Sequence, residues 1–244
     1  MATESLPFDD RTWLMVLTGA GVSAESGVPT FRGIDGLWRT HPVERVASPE
    51  GFDADPALVW EFYSERRAQA GTVEPNPGHR ALARAEERLG DHFLLVTQNV
   101  DGLHRQAGNT RLVEMHGNLF TSRCSKCARP PFPDSTAYPA GTVPVCDACG
   151  ARLRPHIVWF GEMLEERNLA AIDAFIEAAR EGRLLFVAAG TSGAVYPAAG
   201  LVDVARRAGA ETWLVNADAA DNAQRFDHVL RGKSGELLPT LLGG

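Results

Sequence analysis

Short apolar runs alternate with helical patterns along most of the chain. Near-continuous apolar runs predict buried strands at 13–17, 93–97, 112–115, 157–160, 184–188, 212–215 and 228–230. Apolar residues at helical spacing predict helices at 56–70, 78–89, 164–181, 197–208 and 237–242. Strands that alternate with helices are typical of a parallel sheet covered on both faces. The predicted fold class is therefore α/β.

Two stretches interrupt this alternation. Residues 31–73 are rich in turn residues around one strong helix, and residues 121–154 contain the cysteines and a linker rich in Pro and Gly. Both have the character of insertions that together form a smaller domain. We therefore expect a discontinuous large domain built from 1–34, 74–120 and 155–244. The small domain would join a helical insert at 35–73 to a unit at 121–154.

Composition excludes some functions without identifying one. With 244 residues, 44% of them hydrophobic, the chain can bury one sizeable core. The formal net charge of −7 comes from acids and bases scattered along the chain, which argues against general binding to nucleic-acid phosphates. The first eleven residues contain three acids and no apolar run after a basic flank, so they predict neither a signal peptide nor a membrane anchor. We expect a cytoplasmic protein that binds no membrane.

All four cysteines lie in one window, as Cys124-x-x-Cys127 and Cys146-x-x-Cys149. Each Cys-x-x-Cys turn can direct two thiolates at one metal, so two such pairs predict a tetrahedral zinc site. A disulfide pair is one alternative, but without a secretory leader the thiols are expected to stay reduced. A redox-active Cys-x-x-Cys motif is another alternative to zinc. Because no His or carboxylate nearby offers an open coordination position, we expect the zinc to be structural.

The sharpest local motif follows the first predicted strand, where Gly19-Ala20-Gly21-Val22-Ser23 begins. Glycines at this spacing let backbone amides approach a pyrophosphate at a helix N-terminus, as in dinucleotide-binding proteins. A strand-to-helix turn that needs glycine only for its backbone angles is an equally good interpretation. No acid ends a second strand about 20 residues later, which argues against an ordinary dehydrogenase. Phe31 and Arg32 on the following loop could cover a nicotinamide and hold a phosphate.

Polar residues also follow several other predicted strands. Gln98-Asn99-Val100-Asp101 comes after the second strand, where its side chains could bind a ribose or a carboxamide. His116 follows the third strand and is a candidate general base, with a glycine after it that leaves room for substrate. Gly190-Thr191-Ser192 and Asn216-Ala217-Asp218 end two later strands. Each segment alone is compatible with a turn or a structural histidine, but together they predict a cleft at the carboxyl edge of the sheet.

Taken in order, these segments strongly resemble the sirtuin family of NAD-dependent protein lysine deacylases. The shared motifs extend over most of the chain from Leu17 to the C-terminus. They are Gly-Ala-Gly-Val-Ser, Gly-Val-Pro-Thr-Phe-Arg-Gly, Thr-Gln-Asn-Val-Asp, His-Gly-Asn, the two cysteine pairs, Val-Trp-Phe-Gly-Glu, Gly-Thr-Ser and Val-Asn. The resemblance implies a Rossmann-type parallel sheet with helices on both faces and a small domain that joins a zinc ribbon to a helical insert. A cleft between the two domains would bind NAD and acyl-lysine.

The reaction that the resemblance implies consumes NAD as a co-substrate. The acyl group passes from the lysine of a substrate protein to ADP-ribose, so nicotinamide and an O-acyl-ADP-ribose are released. The implied catalytic residues are His116, as the base that deprotonates a ribose hydroxyl, and Asn99 and Asp101, which would orient the ribose and a water.

The family's motifs also assign binding residues by position. The NAD site would contain Gly19, Ala20, Gly21, Ser23, Phe31, Arg32, Trp38, Gln98, Asn99, Val100, Asp101, Gly190, Thr191, Ser192, Asn216, Ala217, Asp218 and Lys233. Within the segment 158–162, Val158, Phe160, Gly161 and Glu162 would bind the substrate backbone as an added strand.

One predicted helix adds an expectation about the acyl group. Its N-cap and first residue would be Asp55-Pro56, and Tyr63 and Arg66 are three residues apart, so they share a face. On composition alone, Tyr63 would be a core-edge aromatic and Arg66 a solvated charge like Arg67. The Tyr-x-x-Arg pattern, however, is similar to that of class III, bacterial-type sirtuins, and Ala47 falls where that class has a small residue that widens the acyl pocket. The resemblance implies desuccinylase and demalonylase activity besides weaker deacetylase activity.

Three other functions fit parts of the same sequence. A mono-ADP-ribosyltransferase would share the NAD site, and a noncatalytic sensor of NAD or ADP-ribose would not need His116. A zinc-ribbon nucleic-acid module would need a basic face, which the composition does not indicate. Release of unmodified lysine peptide distinguishes deacylation from the first two, and a salt-dependent DNA-binding assay tests the third.

Overall fold

A computed structural model describes residues 5–30 and 42–243. Its strands are β1 (Thr12–Thr18), β2 (Phe93–Thr97), β3 (Leu112–Glu114), β4 (Gly117–Cys124), β5 (Phe132–Pro133), β6 (Leu153–Ile157), β7 (Arg183–Ala189), β8 (Glu211–Asn216) and β9 (His228–Arg231). Its α-helices are α1 (Ala20–Ala24), α2 (Val43–Val46), α3 (Pro49–Ala54), α4 (Pro56–Ala70), α5 (Pro77–Leu89), α6 (Leu103–Ala107), α7 (Glu166–Ala178), α8 (Leu201–Arg207) and α9 (Ser234–Leu241). Among the described helices, none combines the length and the apolar character needed to cross a bilayer.

Six strands form a parallel sheet in the order β3-β2-β1-β7-β8-β9. Numbered by chain order within the sheet, this is 3-2-1-4-5-6, the strand order of a Rossmann fold. Each of the six strands predicted here is confirmed to within one residue at either end. The direction of the connections changes between β1 and β7, and ligands in such sheets bind outside the carboxyl ends of the strands at that point.

Apolar side chains cover both faces of this sheet. Along β1, Met15 and Leu17 pack on one face with α7 and α8, while Leu14 and Val16 pack on the other with α5 and α9. Strands buried on both faces need apolar residues at every position, which explains the near-continuous apolar runs of the sequence. The predicted α/β class, with helices on both faces, is confirmed.

The smaller region consists of helices α2–α4 and the antiparallel sheet β5-β4-β6 with its cysteine loops. A third apolar core packs these helices against this antiparallel sheet, with Val59 and Trp60 from α4 among residues of β4 and β6. The predicted strand at 157–160 is wrong, because β6 ends at Ile157 and pairs antiparallel with β4 instead of joining the parallel sheet. Strands β4 and β6 extend beyond the predicted unit at 121–154, and the domain boundaries stay a prediction.

Arg67 on α4 holds the smaller region together from inside. The side chain is fully buried, and its Nε donates to the Leu119 carbonyl oxygen at 2.7 Å. Its terminal nitrogens donate to the Asp134 carboxylate at 3.0 Å, the Thr136 carbonyl oxygen at 2.9 Å and the Ser122 hydroxyl at 3.0 Å. The expectation that Arg67 is a solvated charge is therefore wrong.

Local sequence accounts for most of the helix boundaries. Helix α4 begins and ends where predicted, and the Asp55 side chain caps it by accepting from the Leu58 amide. The predicted helices at 164–181 and 197–208 are longer than α7 and α8, because a 3₁₀ turn continues α7 and another precedes α8. Helices α2, α3 and α6 match no predicted helix, since four to six residues are too few to show helical periodicity, whereas α1 begins where the glycine motif places a helix N-terminus.

Candidate active site

A cleft of about 660 Å³ opens beside the carboxyl ends of the sheet strands and is also lined by the smaller region. This volume lies within the range of about 300–1,000 Å³ that is typical of small-molecule sites. The predicted site residues that line it are Gly19, Ala20, Gly21, Ala47, Tyr63, Arg66, Gln98, Asn99, Val100, His116, Val158, Phe160, Gly161, Glu162, Gly190, Thr191, Ser192, Asn216 and Asp218. A smaller pocket shares Ala20, Arg66, Asn99 and Val100 with the cleft and adds Ser23 and Asp101.

Two of the predicted site residues line neither cavity, and three others fall outside the described residues. Ala217 and Lys233 are exposed and are not among the described residues that line either cavity. Phe31, Arg32 and Trp38 lie outside the described residues.

Other residues line the cleft without having been predicted, including Trp159, Leu119, Leu169 and Tyr196. Trp159 lies inside the segment 158–162, so that motif could have indicated it. Tyr196 and Leu169 follow no motif in the sequence, and only the folded chain brings them to the cleft.

The glycines after β1 are required by close packing against the end of β7. A Cβ atom on Gly19 would lie 2.8 Å from the Gly190 carbonyl oxygen, and one on Gly21 would lie 2.8 Å from the Gly190 Cα. The amides of Gly19 and Gly21 donate to the carbonyl oxygens of Ala189 and Gly190, so neither amide is free to bind a phosphate. Neither glycine has a positive φ, so the interpretation that glycine is needed here only for its backbone angles is wrong, and close approach to the backbone of Gly190 is the reason instead.

Asn99 and Asp101 are held rigidly by buried hydrogen bonds. The Asn99 side-chain amide donates to the Gly19 carbonyl oxygen at 3.1 Å and to the Ser23 hydroxyl at 3.0 Å. The Asp101 carboxylate accepts from the Leu103 amide at 3.0 Å. Burial raises the pKa of Asp101, and hydrogen bonds from Leu103 and Ser23 oppose part of that effect. Both side chains are thus fixed in orientation before any ligand binds.

His116 lies between β3 and β4, and its Nδ1 is 3.1 Å from the Gln98 carbonyl oxygen. Because a carbonyl can only accept, Nδ1 carries the proton and Nε2 is the basic nitrogen of the neutral ring. Burial lowers the pKa of His116, and the hydrogen bond to Gln98 opposes part of that shift. Gly117 does not make room for substrate as expected: its φ is +84°, and a Cβ there would collide with the His156 carbonyl.

Amide side chains connect the ends of the other sheet strands. The Gln98 side-chain amide donates to the Thr191 hydroxyl at 3.1 Å, which links the end of β2 to that of β7. The Asn216 side-chain amide donates to the carbonyl oxygens of Thr191 and Asp218, both at 3.1 Å. Neutral amides and hydroxyls that face a cleft suit the ribose hydroxyls and carboxamide of a dinucleotide, so the residues present fit NAD.

Tyr63 and Arg66 lie on the part of the cleft formed by α4. The Tyr63 hydroxyl accepts a hydrogen bond from Trp159 Nε1 at 2.9 Å, which leaves its own proton available to donate. The Arg66 guanidinium lies 4.1 Å from the centre of the Phe62 ring and donates to the Phe62 carbonyl oxygen at 3.2 Å. Within the described residues, the buried Nε of Arg66 has no hydrogen-bond partner. Burial lowers the pKa of Arg66, and the Glu65 carboxylate, 3.5 Å from one of its terminal nitrogens, opposes part of that shift.

The carboxylate of Glu162 is engaged within the protein. It accepts from two Arg154 nitrogens at 2.7 and 2.8 Å, from Arg123 at 3.1 Å and from the Trp159 amide at 2.9 Å. The Arg154 guanidinium also lies 3.4 Å from the centre of the Trp159 ring. Glu162 therefore shapes the segment 158–162 and has little capacity left to contact a substrate.

The four cysteine sulfur atoms lie within 4.8 Å of one another. Cys124 Sγ is 3.5 Å from Cys149 Sγ, and Cys127 Sγ is 3.8 Å from Cys146 Sγ. Thiolates that bind one zinc tetrahedrally at about 2.3 Å are about 3.8 Å apart, whereas a disulfide needs about 2.05 Å. The cluster fits one structural zinc ion.

Comparisons with known proteins agree with this geometry. A family model described as the Sir2 family matches residues 19–197. The chain is 47% identical over 233 residues to an NAD-dependent protein deacylase of Shewanella oneidensis, which covers 94% of this chain and 92% of that protein. It is 45% identical over 233 residues to an NAD-dependent protein deacylase of Thermococcus kodakarensis, covering 93% of this chain and 89% of that protein.

Solved structures show the same similarity. A Sir2 homologue in complex with NAD superimposes with a TM-score of 0.86 and 42% sequence identity, covering 95% of this chain and 88% of that chain. Similarity at this level, over most of both chains, shows that the two proteins share one fold.

Proposed function

The chain belongs to the Sir2 family and is an NAD-dependent protein deacylase, and we propose that His116 is its base and that Tyr63 and Arg66 favour acyl groups ending in a carboxylate. The observation that carries this proposal is the common cleft. His116, Asn99, Tyr63 and Arg66 all line one cavity, although they come from three separate parts of the chain.

The tautomer of His116 suits the role of a general base. Nδ1 is engaged by the Gln98 carbonyl, so Nε2 is free to accept a proton, and the low pKa keeps the ring neutral at physiological pH. NAD, when bound, supplies the ADP-ribosyl group that accepts the acyl group and the nicotinamide that leaves. His116 would take the proton of a ribose hydroxyl and thereby make that oxygen nucleophilic.

Asn99 and Asp101 would position the ribose and a water. Their side chains are already fixed by hydrogen bonds to Gly19, Ser23 and Leu103, so little conformational entropy remains to be lost when the ligand binds. Pre-oriented polar groups of this kind can supply a large part of a barrier reduction.

The terminus of the acyl group would be recognised only by hydrogen-bond donors of the protein. Tyr63 has a hydroxyl proton to donate, and Arg66 has a buried Nε without a partner among the described residues. A terminal carboxylate such as that of a succinyl or malonyl group would accept from both, and it would be a more buried counter-charge for Arg66 than the exposed Glu65 carboxylate at 3.5 Å. An acetyl group would leave these donors unpaired, which makes it the poorer substrate.

A mass-spectrometric panel tests the function. The protein would be incubated with NAD and matched acetyl-, malonyl- and succinyl-lysine peptides, and both peptide and nucleotide products would be weighed. We expect loss of the acyl mass from the peptide, together with nicotinamide and an O-acyl-ADP-ribose. A peptide that gains the mass of ADP-ribose would instead indicate a mono-ADP-ribosyltransferase, and unchanged peptides despite NAD binding would indicate a sensor.

A further inference from the structure

Trp159 fixes the direction of one hydrogen bond beside the proposed acyl site. The residue is buried but its side chain lines the cleft, and its Nε1 donates to the Tyr63 hydroxyl at 2.9 Å. An indole N–H can only donate, so the Tyr63 oxygen accepts here and its own proton points away from Trp159. In the described part of the chain, the Tyr63 hydroxyl has no other hydrogen-bond partner. Burial raises the pKa of Tyr63, so the hydroxyl keeps that proton.

Charged groups hold the indole in place. The Arg154 guanidinium lies over the face of the Trp159 ring, 3.4 Å from its centre. Two nitrogens of Arg154 donate to the Glu162 carboxylate, which also accepts from the Trp159 amide. A guanidinium that stacks on an aromatic face and binds a carboxylate with two nitrogens has little freedom to move. We call Arg154 and Glu162 the indole clamp.

The next residue along the chain contacts a second part of the proposed acyl site. The Phe160 amide donates to the Ala47 carbonyl oxygen at 3.0 Å, and Ala47 lines the cleft together with Tyr63. Two consecutive residues after β6, Trp159 and Phe160, are thus bonded to two of the residues proposed to surround the acyl group. This segment is therefore placed to control how the acyl group is held.

A second buried tryptophan makes a contact of a different kind. Trp60 Nε1 donates to the Leu153 carbonyl oxygen at 2.9 Å, and Trp60 lines neither cavity among the described residues. Its partner is a backbone oxygen, which only accepts, whereas the partner of Trp159 is a hydroxyl that also donates. Of these two indole hydrogen bonds, only that of Trp159 sets the donor direction of a group that lines the cleft.

We propose that Trp159 is a positioning residue for acyl selectivity: its indole N–H, held by the indole clamp, directs the Tyr63 hydroxyl proton to the carboxylate of the acyl group. This inference rests on the proposed function, in which Tyr63 and Arg66 bind a terminal carboxylate. An acetyl group has no such carboxylate, so its turnover does not depend on that direction. Without the indole N–H, the hydroxyl has to lose rotational freedom when the acyl group binds, and part of the preference for succinyl-lysine is lost.

A double-mutant cycle with Trp159→Phe and Tyr63→Phe tests this inference. The quantity measured is the ratio of kcat/KM for succinyl-lysine and acetyl-lysine in one peptide. Trp159→Phe should lower this ratio roughly three- to tenfold, the value of one neutral hydrogen bond, mainly through a higher KM for the succinyl peptide. In the Tyr63→Phe background, the same change should alter the ratio by less than about twofold. The smaller ring leaves the same space in both backgrounds, so the cycle isolates the contribution of the hydroxyl.

Two further variants locate the origin of the effect. Trp60→Phe removes a buried indole N–H in the same smaller region and should keep the wild-type ratio. Arg154→Lys keeps a positive charge beside Glu162 but loses the planar group over the indole, so it should lower the ratio in the same direction as Trp159→Phe. Because each ratio is measured within one protein, a loss of folded fraction cancels.

The outcomes are separable. Equal losses on both peptides in Trp159→Phe, or the same fall in the ratio with and without the Tyr63 hydroxyl, would overturn the positioning role of Trp159. A wild-type ratio in Arg154→Lys would overturn the role of the indole clamp. A Tyr63→Phe protein that keeps the wild-type ratio would contradict the acyl recognition in the proposed function, and with it this inference.

Discussion

The parallel sheet and the smaller region are stabilised by different means. The sheet packs apolar side chains such as Phe93 and Phe186 on its faces, within two large clusters. The smaller region has a single apolar core and adds to it a buried ion pair between Arg67 and Asp134 and a cluster of four cysteine sulfurs. The smaller region therefore depends on a few polar groups in addition to its apolar core, whereas the sheet depends mainly on its apolar clusters.

The two regions also line different parts of the cleft. The residues proposed to bind NAD follow strands of the sheet, while Tyr63 and Arg66 lie on α4 in the smaller region. Damage to the smaller region should therefore abolish acyl transfer before it abolishes the fold of the sheet. His116 lies between the two, just before β4 begins.

Zinc removal should have the largest effect. Structural zinc contributes an apparent binding free energy of about 10–16 kcal/mol in zinc-finger peptides, and that energy is coupled to folding. We expect freshly purified protein to contain one zinc ion. After chelation, hydrogen exchange should rise first in β4–β6 and α4 and only later in β1 and β7.

Cys146→Ala is the genetic equivalent of this experiment, because it removes a buried member of the cluster. Deacylation should be lost while the sheet keeps its slow exchange. Full activity of the variant, or metal analysis without zinc, would argue against a metal-dependent smaller region.

His116→Ala should lower kcat/KM by roughly 10²–10⁴, the usual contribution of a general base. NAD affinity should be nearly unchanged, because the proton transfer follows cofactor binding. His228→Ala on β9 is a suitable control, since His228 lines neither cavity among the described residues. Retention of most of the turnover would show that another group is the base.

The pH profile gives a second test of the same residue. His116 acts only when neutral, and burial lowers its pKa below the ordinary value of 6.5. The acid limb of kcat/KM should therefore be centred below pH 6.5 and should disappear in the alanine variant. A limb centred above that value would contradict the environment described for the ring.

Arg67→Met should destabilise the smaller region by about 3–5 kcal/mol, because it leaves Asp134 buried without its partner. Arg84→Met, at an exposed position on α5, is the matched control and should change the free energy of unfolding little. Burial alone raises the pKa of Asp134, but the Ser122 hydroxyl and the Arg67 charge lower it more. The stabilisation is therefore present above its ordinary pKa of 3.8 and is lost as pH falls through the lower folded value.

The two regions also differ in how well the sequence predicts them. Short continuous apolar runs such as that of β1 predict buried strands, so the sheet could be predicted strand by strand. Strand β4 alternates less clearly and contains Asn118 and Arg123, and its pairing with β6 joins residues 29 to 40 positions apart. Arg66 and Arg67 are neighbours with the same side chain. Only tertiary packing decides that Arg67 is buried in a hydrogen-bond network and that Arg66 lines the cleft.

The choice of acyl group tests the central claim most directly. We would measure kcat/KM for one peptide carrying either succinyl-lysine or acetyl-lysine, in the wild type, in Arg66→Met and in the Arg84→Met control. Charge-assisted hydrogen bonds are worth about 1.5–3 kcal/mol each, or roughly 10- to 100-fold in rate. The wild type and the control should prefer the succinyl peptide, and Arg66→Met should lose roughly that factor on succinyl-lysine while sparing acetyl-lysine. A wild type that prefers acetyl-lysine, or equal losses on both peptides, would contradict the assignment of Arg66 to the acyl site.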